Sequence, residues 1–298
     1  MRPEIVLFGD SLTEQSFGSG GWGSALADTY SRKADVLVRG YGGYNTRWAL
    51  FLLHHIFPLN LALLEHCIIC SQDTLDAGFS GPKLTCLRQN ASLLEAQLTR
   101  CPSRNRGFQP CVHPKNAPKA PIFVTIFFGA NDAAILGRSS ERQHVPLEEY
   151  KDNLKKMVNH LKEYSPKTLV ILITPPPIDE EGRNEYARSL YGDKARELPE
   201  RTNEVTGRYA KQCLELAKEM GLHAIDLWSK LQETEGWQKK FLRDGLHFAP
   251  EGNGVLHQEL EKVLSETSVS AANMPLDFPH HSKIDGKNPE KAFQYLSL

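Results

Sequence analysis

The chain has 298 residues, 40% hydrophobic and 24% charged, with a formal net charge of −1. That balance suits a folded globular protein and leaves no excess of either sign for a nucleic-acid interface or a polybasic membrane anchor. No apolar run approaches the roughly 18–20 residues that span a bilayer. Met1-Arg2-Pro3-Glu4 leads into a short apolar run ending at Gly9-Asp10, which does not read as a secretory signal, so the expected compartment is the cytosol.

The first predicted strand covers residues 5–8, and the chain then turns at Phe8-Gly9-Asp10-Ser11-Leu12-Thr13-Glu14. In an open α/β sheet, ligands bind outside the carboxyl ends of the strands, so Ser11 stands where a nucleophile or an anion binder would stand. Ser11-x-x-Glu14 equally fits a capping box, in which Ser11 simply starts the next helix. Gly18-Ser19-Gly20-Gly21-Trp22-Gly23 is glycine-rich but lacks the Gly-Lys-Ser/Thr ending of a phosphate loop. A second strand at residues 36–38 runs into Arg39-Gly40-Tyr41-Gly42-Gly43-Tyr44-Asn45-Thr46, where glycines permit a sharp turn and a close backbone approach. Asn45 or Thr46 would then cap a helix-like stretch over 46–57.

The segment from Leu59 to Pro118 interrupts this rhythm, with five of the six cysteines (Cys67, Cys70, Cys86, Cys101 and Cys111) and no sustained period. A connection of that length is unusual inside a compact domain. A genuine insertion, a disulfide or metal module, and translated intron sequence are all open explanations. Cys67-x-x-Cys70 has no second CxxC pair and no His-x₃₋₅-His to complete a zinc site. The expectation is a loosely ordered segment with incidental cysteines.

Beyond it, a third strand at residues 122–128 ends in Phe127-Phe128-Gly129-Ala130-Asn131-Asp132, where Asn131 or Asp132 could cap a turn or offer a donor. In residues 147–164, Leu154, Met157, Val158 and Leu161 recur at helical spacing. A fourth strand at 169–173 precedes Pro175-Pro176-Pro177, a helix is expected over 204–220, and a weaker fifth strand over 223–227. Asp244-Gly245-Leu246-His247 precedes a last helix over 250–264 with Pro250 in its first turn. An aspartate three residues before a histidine can orient one imidazole nitrogen while the other faces a nucleophile. His54, His55, His280 and His281 lack metal-ligand spacing and read as surface residues. Continuous apolar strands alternating with helices predict an α/β, flavodoxin-like three-layer sandwich with a mostly parallel five-stranded sheet. The domain is expected over 1–266, interrupted at 59–118, with a tail at 267–298 that packs loosely or is disordered.

Taken together, four blocks in order resemble the SGNH (GDSL-type) hydrolase family. They are Gly9-Asp10-Ser11-Leu12, Gly43, Gly129-Ala130-Asn131-Asp132 and Asp244-x-x-His247. Leu7 through Glu14, Arg39-Gly40-Tyr41, Tyr44 through Ala49 and Asp244 through Phe248 are similar to the isoamyl acetate-hydrolysing esterase branch, from which the 59–118 segment departs. The resemblance implies a serine ester hydrolase with Ser11 as nucleophile, His247 as base and Asp244 orienting it. It also implies an oxyanion hole from Ser11, Gly43 and Asn131, and no metal or organic cofactor. The implied partner is a small-molecule ester such as an acetate, although related enzymes also deacylate lipids and sugars; nothing in the sequence speaks to oligomeric state. Two competing readings follow from the same strand ends. One is a non-catalytic or misassembled relative whose site the 59–118 segment disrupts, and the other is a flavodoxin-like small-molecule binder.

Overall fold

The structure is a computed structural model that describes residues 2–59, 119–195 and 198–296, with side chains to residue 293. Met1–Pro58 and Lys119–Leu298 group into one compact unit. The expected loose order of the 59–118 segment, its five cysteines and Cys67-x-x-Cys70 fall on residues 60–118, outside the described residues.

Among the described residues, five strands form one wholly parallel sheet: β1 (Glu4–Gly9), β2 (Asp35–Gly40), β3 (Phe123–Phe127), β4 (Leu169–Ile173) and β5 (His223–Ile225). The spatial order is β2-β1-β3-β4-β5. Ile5 pairs with Val36 on one side and Phe123 on the other. The helices are α1 (Ser11–Glu14), α2 (Trp22–Thr29), α3 (Thr46–Ala49), α4 (Leu53–Ile56), α5 (Leu147–Tyr164), α6 (Glu180–Tyr191), α7 (Asn203–Met220), α8 (Leu227–Gln232), α9 (Trp237–Phe241) and α10 (Pro250–Ser265).

Successive strand side chains point to opposite faces, so an apolar run feeds two cores at once. Ile5, Leu7, Phe123, Phe127, Ile171 and Ile173 pack with Leu26 of α2 and Leu256, Leu260 and Leu264 of α10. Val6, Phe8, Val124, Ile126, Val170 and Leu172 pack on the other face with Leu154, Met157 and Leu161 of α5 and with Cys213 and Leu216 of α7. The three-layer α/β reading therefore holds, and among the described residues the sheet has no antiparallel member.

The 46–57 stretch differs in detail from the expected single helix. It runs as α3, a 3₁₀ turn at Leu50–Leu52 and then α4. Asn45 caps it, its Oδ1 accepting the Trp48 N–H at 2.9 Å. After α10 the chain doubles back toward the end of α2. Tyr30 Oη donates to the Val269 carbonyl at 2.8 Å, the Asp277 N–H donates to the Arg32 carbonyl at 2.8 Å, and Arg2 and Arg32 both reach the Asp277 carboxylate at 3.3 Å. Among the described residues, no helix is long and apolar enough to cross a membrane.

Candidate active site

The strand order places the site. From β1 the chain goes to β2 on one side, while β3 lies on the other, so the loops leaving β1 and β3 diverge and open a crevice at the carboxyl edge. Ser11 follows β1 directly, the Gly43 loop leaves β2 and Asn131 leaves β3.

Ser11 is the first residue of α1, and the cap is Asp10, whose Oδ1 accepts the Leu12 N–H at 3.0 Å. The capping-box alternative for Ser11 is thus set aside. Glu14 does not reach back along its own helix either, because its Oε2 takes the N–H of Gly42 in the loop after β2. The Ser11 hydroxyl is left to meet His247 Nε2 at 2.9 Å. On the far side of the imidazole, Nδ1 lies 2.7 Å from Asp244 Oδ2. These three residues form one hydrogen-bonded line across 236 positions of sequence between Ser11 and His247.

The turn bearing Asp244 and His247 is pinned at both ends and at its middle. Leu242 and Phe248 form an antiparallel bridge, and the Arg243 N–H donates to the His247 carbonyl at 2.9 Å. Asp244 Oδ1 accepts the N–H groups of Leu246 at 3.0 Å and of His247 at 2.8 Å. Gly245 has φ +79°, and its carbonyl accepts the Asp179 N–H at 3.0 Å. A Cβ at this position would lie 2.4 Å from the Asp179 carbonyl oxygen and 2.5 Å from the Arg183 nitrogen. Burial works against the charge on Asp244. The His247 hydrogen bond and charge, the His247 backbone N–H and the Arg183 charge outweigh it and hold the carboxyl down at about 2. The carboxylate is therefore ionised whenever the imidazole needs a partner.

Asn131, almost fully buried, connects the other two loops. Its Nδ2 donates to the Tyr44 carbonyl at 2.9 Å and reaches Asp10 Oδ2 at 3.4 Å. Tyr44 is adjacent to Gly43 and Asp10 is adjacent to Ser11, so the asparagine amide sits between the two loops that carry the other expected donors. Gly43 has φ +77°, a left-handed conformation that favours glycine, and its carbonyl accepts from Gln143 Nε2 at 2.9 Å. Neither the Ser11 nor the Gly43 backbone N–H donates to another group among the described residues. At a helix N-terminus and in a left-handed turn, such free donors suit an oxyanion.

Two buried carboxyls lie beneath the site. Burial pushes Asp10 up to about 7, opposed by its Leu12 hydrogen bond and reinforced by the charge of Asp132. Burial likewise raises Asp132 to about 7, against the hydrogen bonds it receives from Thr46. Asp132 is thus a brace for α3, taking the Thr46 N–H at 3.0 and 3.2 Å and the Thr46 hydroxyl as well.

Sequence reasoning missed Arg183, Glu200 and Arg201. Arg201 donates to Asn131 Oδ1 at 3.0 Å and to the Ala130 carbonyl at 2.6 Å. Glu200 Oε1 accepts from both arginines, and Arg183 donates to the Asp244 carbonyl at 3.1 Å. The only trace in the sequence is an adjacent opposite-charge pair after Pro199, in a stretch with no period to orient it. Among the described residues, no three His, Cys, Asp or Glu side chains are grouped to hold a metal ion. His54, His55, His280 and His281 are exposed.

A parallel α/β sandwich with this crevice is the SGNH-hydrolase architecture. The family model for GDSL-like lipase/acylhydrolase matches residues 5–260, and the chain belongs to that family. It is a carboxylic ester hydrolase. A GDSL esterase/lipase of Arabidopsis thaliana is 56% identical over the whole of both chains, and a second from the same plant is 42% identical over 98% of each. The isoamyl acetate-hydrolyzing esterase 1 homolog of Homo sapiens is 36% identical over 97% of this chain and 90% of its own. Among solved structures, the lipase/acylhydrolase from Enterococcus faecalis superposes with a TM-score of 0.52 at 21% identity, covering 93% of this chain and 98% of that one. A mutant of an acetyl-xylooligosaccharide esterase from Geobacillus gives 0.51 at 17% identity, covering 87% and 93%. These two likenesses speak to fold.

Proposed function

We propose that the protein hydrolyses small acyl esters, acetates among them, through Ser11, His247 and Asp244. The observation that carries this reading is the unbroken line from the Ser11 hydroxyl through both imidazole nitrogens to the Asp244 carboxylate. Ser11 Oγ bonds to the ester carbonyl carbon while His247 Nε2 takes the hydroxyl proton. The carbonyl oxygen gains negative charge and is met by the N–H groups of Ser11 and Gly43 and by the Asn131 amide. The bond to the alcohol oxygen then breaks as His247 returns its proton to the leaving alcohol. Water repeats the sequence on the acyl-serine, with His247 as base, and releases the acid. Asp244 keeps Nδ1 protonated, so that Nε2 presents its lone pair to the hydroxyl, and steadies the imidazolium that forms.

The acetate preference rests on the likeness to isoamyl acetate-hydrolyzing esterase homologs, together with the Leu7–Glu14 and Tyr44–Ala49 runs that suggest the same branch. p-Nitrophenyl acetate hydrolysis by the intact chain and by Ser11→Ala tests the reading. The expected outcome is turnover in the parent and loss of at least about 10³-fold in kcat in the variant, with its melting transition retained. A variant that keeps parental turnover removes Ser11 as nucleophile. A folded parent without turnover on acetate, butyrate or longer acyl esters would favour the disrupted-site alternative.

A further inference from the structure

Arg201 touches neither the serine nor the histidine, yet its guanidinium holds the Asn131 loop directly and the Gly43 loop by way of Gln143. With its side chain only 4% exposed, it spends its donors on four acceptors. Nε goes to the Ala130 carbonyl at 2.6 Å, and Nη1 to Glu200 Oε1 at 2.8 Å. Nη2 is shared between Asn131 Oδ1 at 3.0 Å and Gln143 Oε1 at 2.6 Å. Gln143 Nε2 in turn donates to the Gly43 carbonyl at 2.9 Å.

A guanidinium only donates, so both amides must turn their oxygens toward it and their NH₂ groups away. For Asn131 that points Nδ2 toward Tyr44 and Asp10, and for Gln143 it points Nε2 at Gly43. A flipped Asn131 would set N–H against N–H at Arg201 and carbonyl against carbonyl at Tyr44. We propose that Arg201 is a positioning residue for the oxyanion site, holding the Asn131 amide in its donating orientation and, through Gln143, fixing the Gly43 loop. This rests on reading Asn131 and Gly43 as oxyanion donors.

The setting argues against a purely structural account. A buried ion cluster is a weak source of net stability, because desolvation offsets most of the attraction. Glu200 compensates the Arg201 charge and also takes Arg183 Nε at 2.8 Å and Nη2 at 2.6 Å. Arg183 then reaches the Asp244 carbonyl, so one cluster joins the asparagine to the turn that carries Asp244 and His247. Donors aimed in advance at developing charge need this kind of rigid support.

The test is kcat and KM on p-nitrophenyl acetate for the full chain and for Arg201→Met, Arg201→Lys, Gln143→Ala, Asn131→Ala and the double variant Arg201→Met with Asn131→Ala. Arg201→Met is expected to lose about 10²-fold in kcat with KM within about threefold, the signature of an interaction made in the transition state. Arg201→Lys should recover at least about fivefold of that loss, and Gln143→Ala should lose about tenfold. Because Arg201 acts through Asn131 and, by way of Gln143, on the Gly43 loop, the double variant should fall no more than about tenfold below Asn131→Ala, the share that Gln143→Ala carries, rather than the full loss of Arg201→Met. If Asn131→Ala loses about 10²–10³-fold while Arg201→Met stays within threefold of the parent, the oxyanion reading stands and the positioning role is overturned. Losses that multiply in the double variant, or a change in KM alone, also overturn it. Parental turnover in Asn131→Ala overturns both readings. Should Arg201→Met not fold, Gln143→Ala decides, since its partly exposed side chain carries no charge; an unchanged kcat there refutes the proposal.

Discussion

At the scale of single residues, the chemistry depends on which atom of a side chain faces which partner. Asp244 makes the point. One carboxylate oxygen is committed to two backbone N–H groups and the other to His247 Nδ1. Asp244→Asn can keep the backbone contacts through its remaining oxygen, but it offers an N–H where Nδ1 needs an acceptor. The imidazole is then drawn into the wrong tautomer, with the Nε2 proton facing Ser11. The expected result is a fall of about 10⁴-fold in kcat with little change in melting temperature. A variant within tenfold of the parent would take Asp244 out of the mechanism. Ser11, Asp244 and His247 were legible because each lies in a short block whose residue types and spacing already suggest the chemistry. Asp10 as the cap was not, since Ser11-x-x-Glu14 satisfies the same local pattern. The choice was made by Gly42, a residue of another loop that claims the Glu14 carboxylate.

Secondary-structure elements repeat the contrast. The helix read over 147–164 coincides with α5, and those over 204–220 and 250–264 differ from α7 and α10 by a residue at one end. Long amphipathic periods leave little choice of face. The 46–57 stretch was read as one helix and is three short pieces, because its side chains fit around Tyr41, Tyr44 and α5 rather than one continuous stripe. The Asp244–His247 turn has no period at all and owes its shape to contact with the start of α6. Gly245→Ala should therefore push the turn away from Asp179 and Arg183 and strain its positive φ, at a cost of about 1–3 kcal/mol. A lowered melting temperature and a lowered kcat are expected together, because the displaced turn carries His247. A variant matching the parent in both would show that the turn is not held there.

For the whole molecule, the buried carboxyls set how stability responds to pH. Asp132 ionises near 3.8 in an unfolded chain and near 7 in the folded one. Between those values the folded protein keeps a proton that the unfolded chain gives up. The stabilisation is complete below about pH 3.8 and is lost as pH rises through about 7. Asp244 acts in the opposite sense: held at about 2, it stabilises above about 3.8 and loses that contribution as pH falls toward 2. Melting temperatures of the parent and of Asp132→Asn, measured from about pH 4.5 to 7.5, should show the parent losing ground to the variant as pH rises. A constant difference across that range would mean that Asp132 ionises normally. The sequence by itself determined the layers of the sandwich and pointed to Ser11, His247 and Asp244 as the proposed catalytic line. Strand hydrophobicity, helical period and short motifs are local properties that survive without knowledge of the fold. Only the tertiary structure decided that Asp10 is the cap, that Asn131 sits between the Ser11 and Gly43 loops, and that Arg201, Glu200 and Arg183 join those loops to the histidine turn. A buried charge is tolerated only where its partners converge, and these partners come from loops that nothing but the packed sheet brings together.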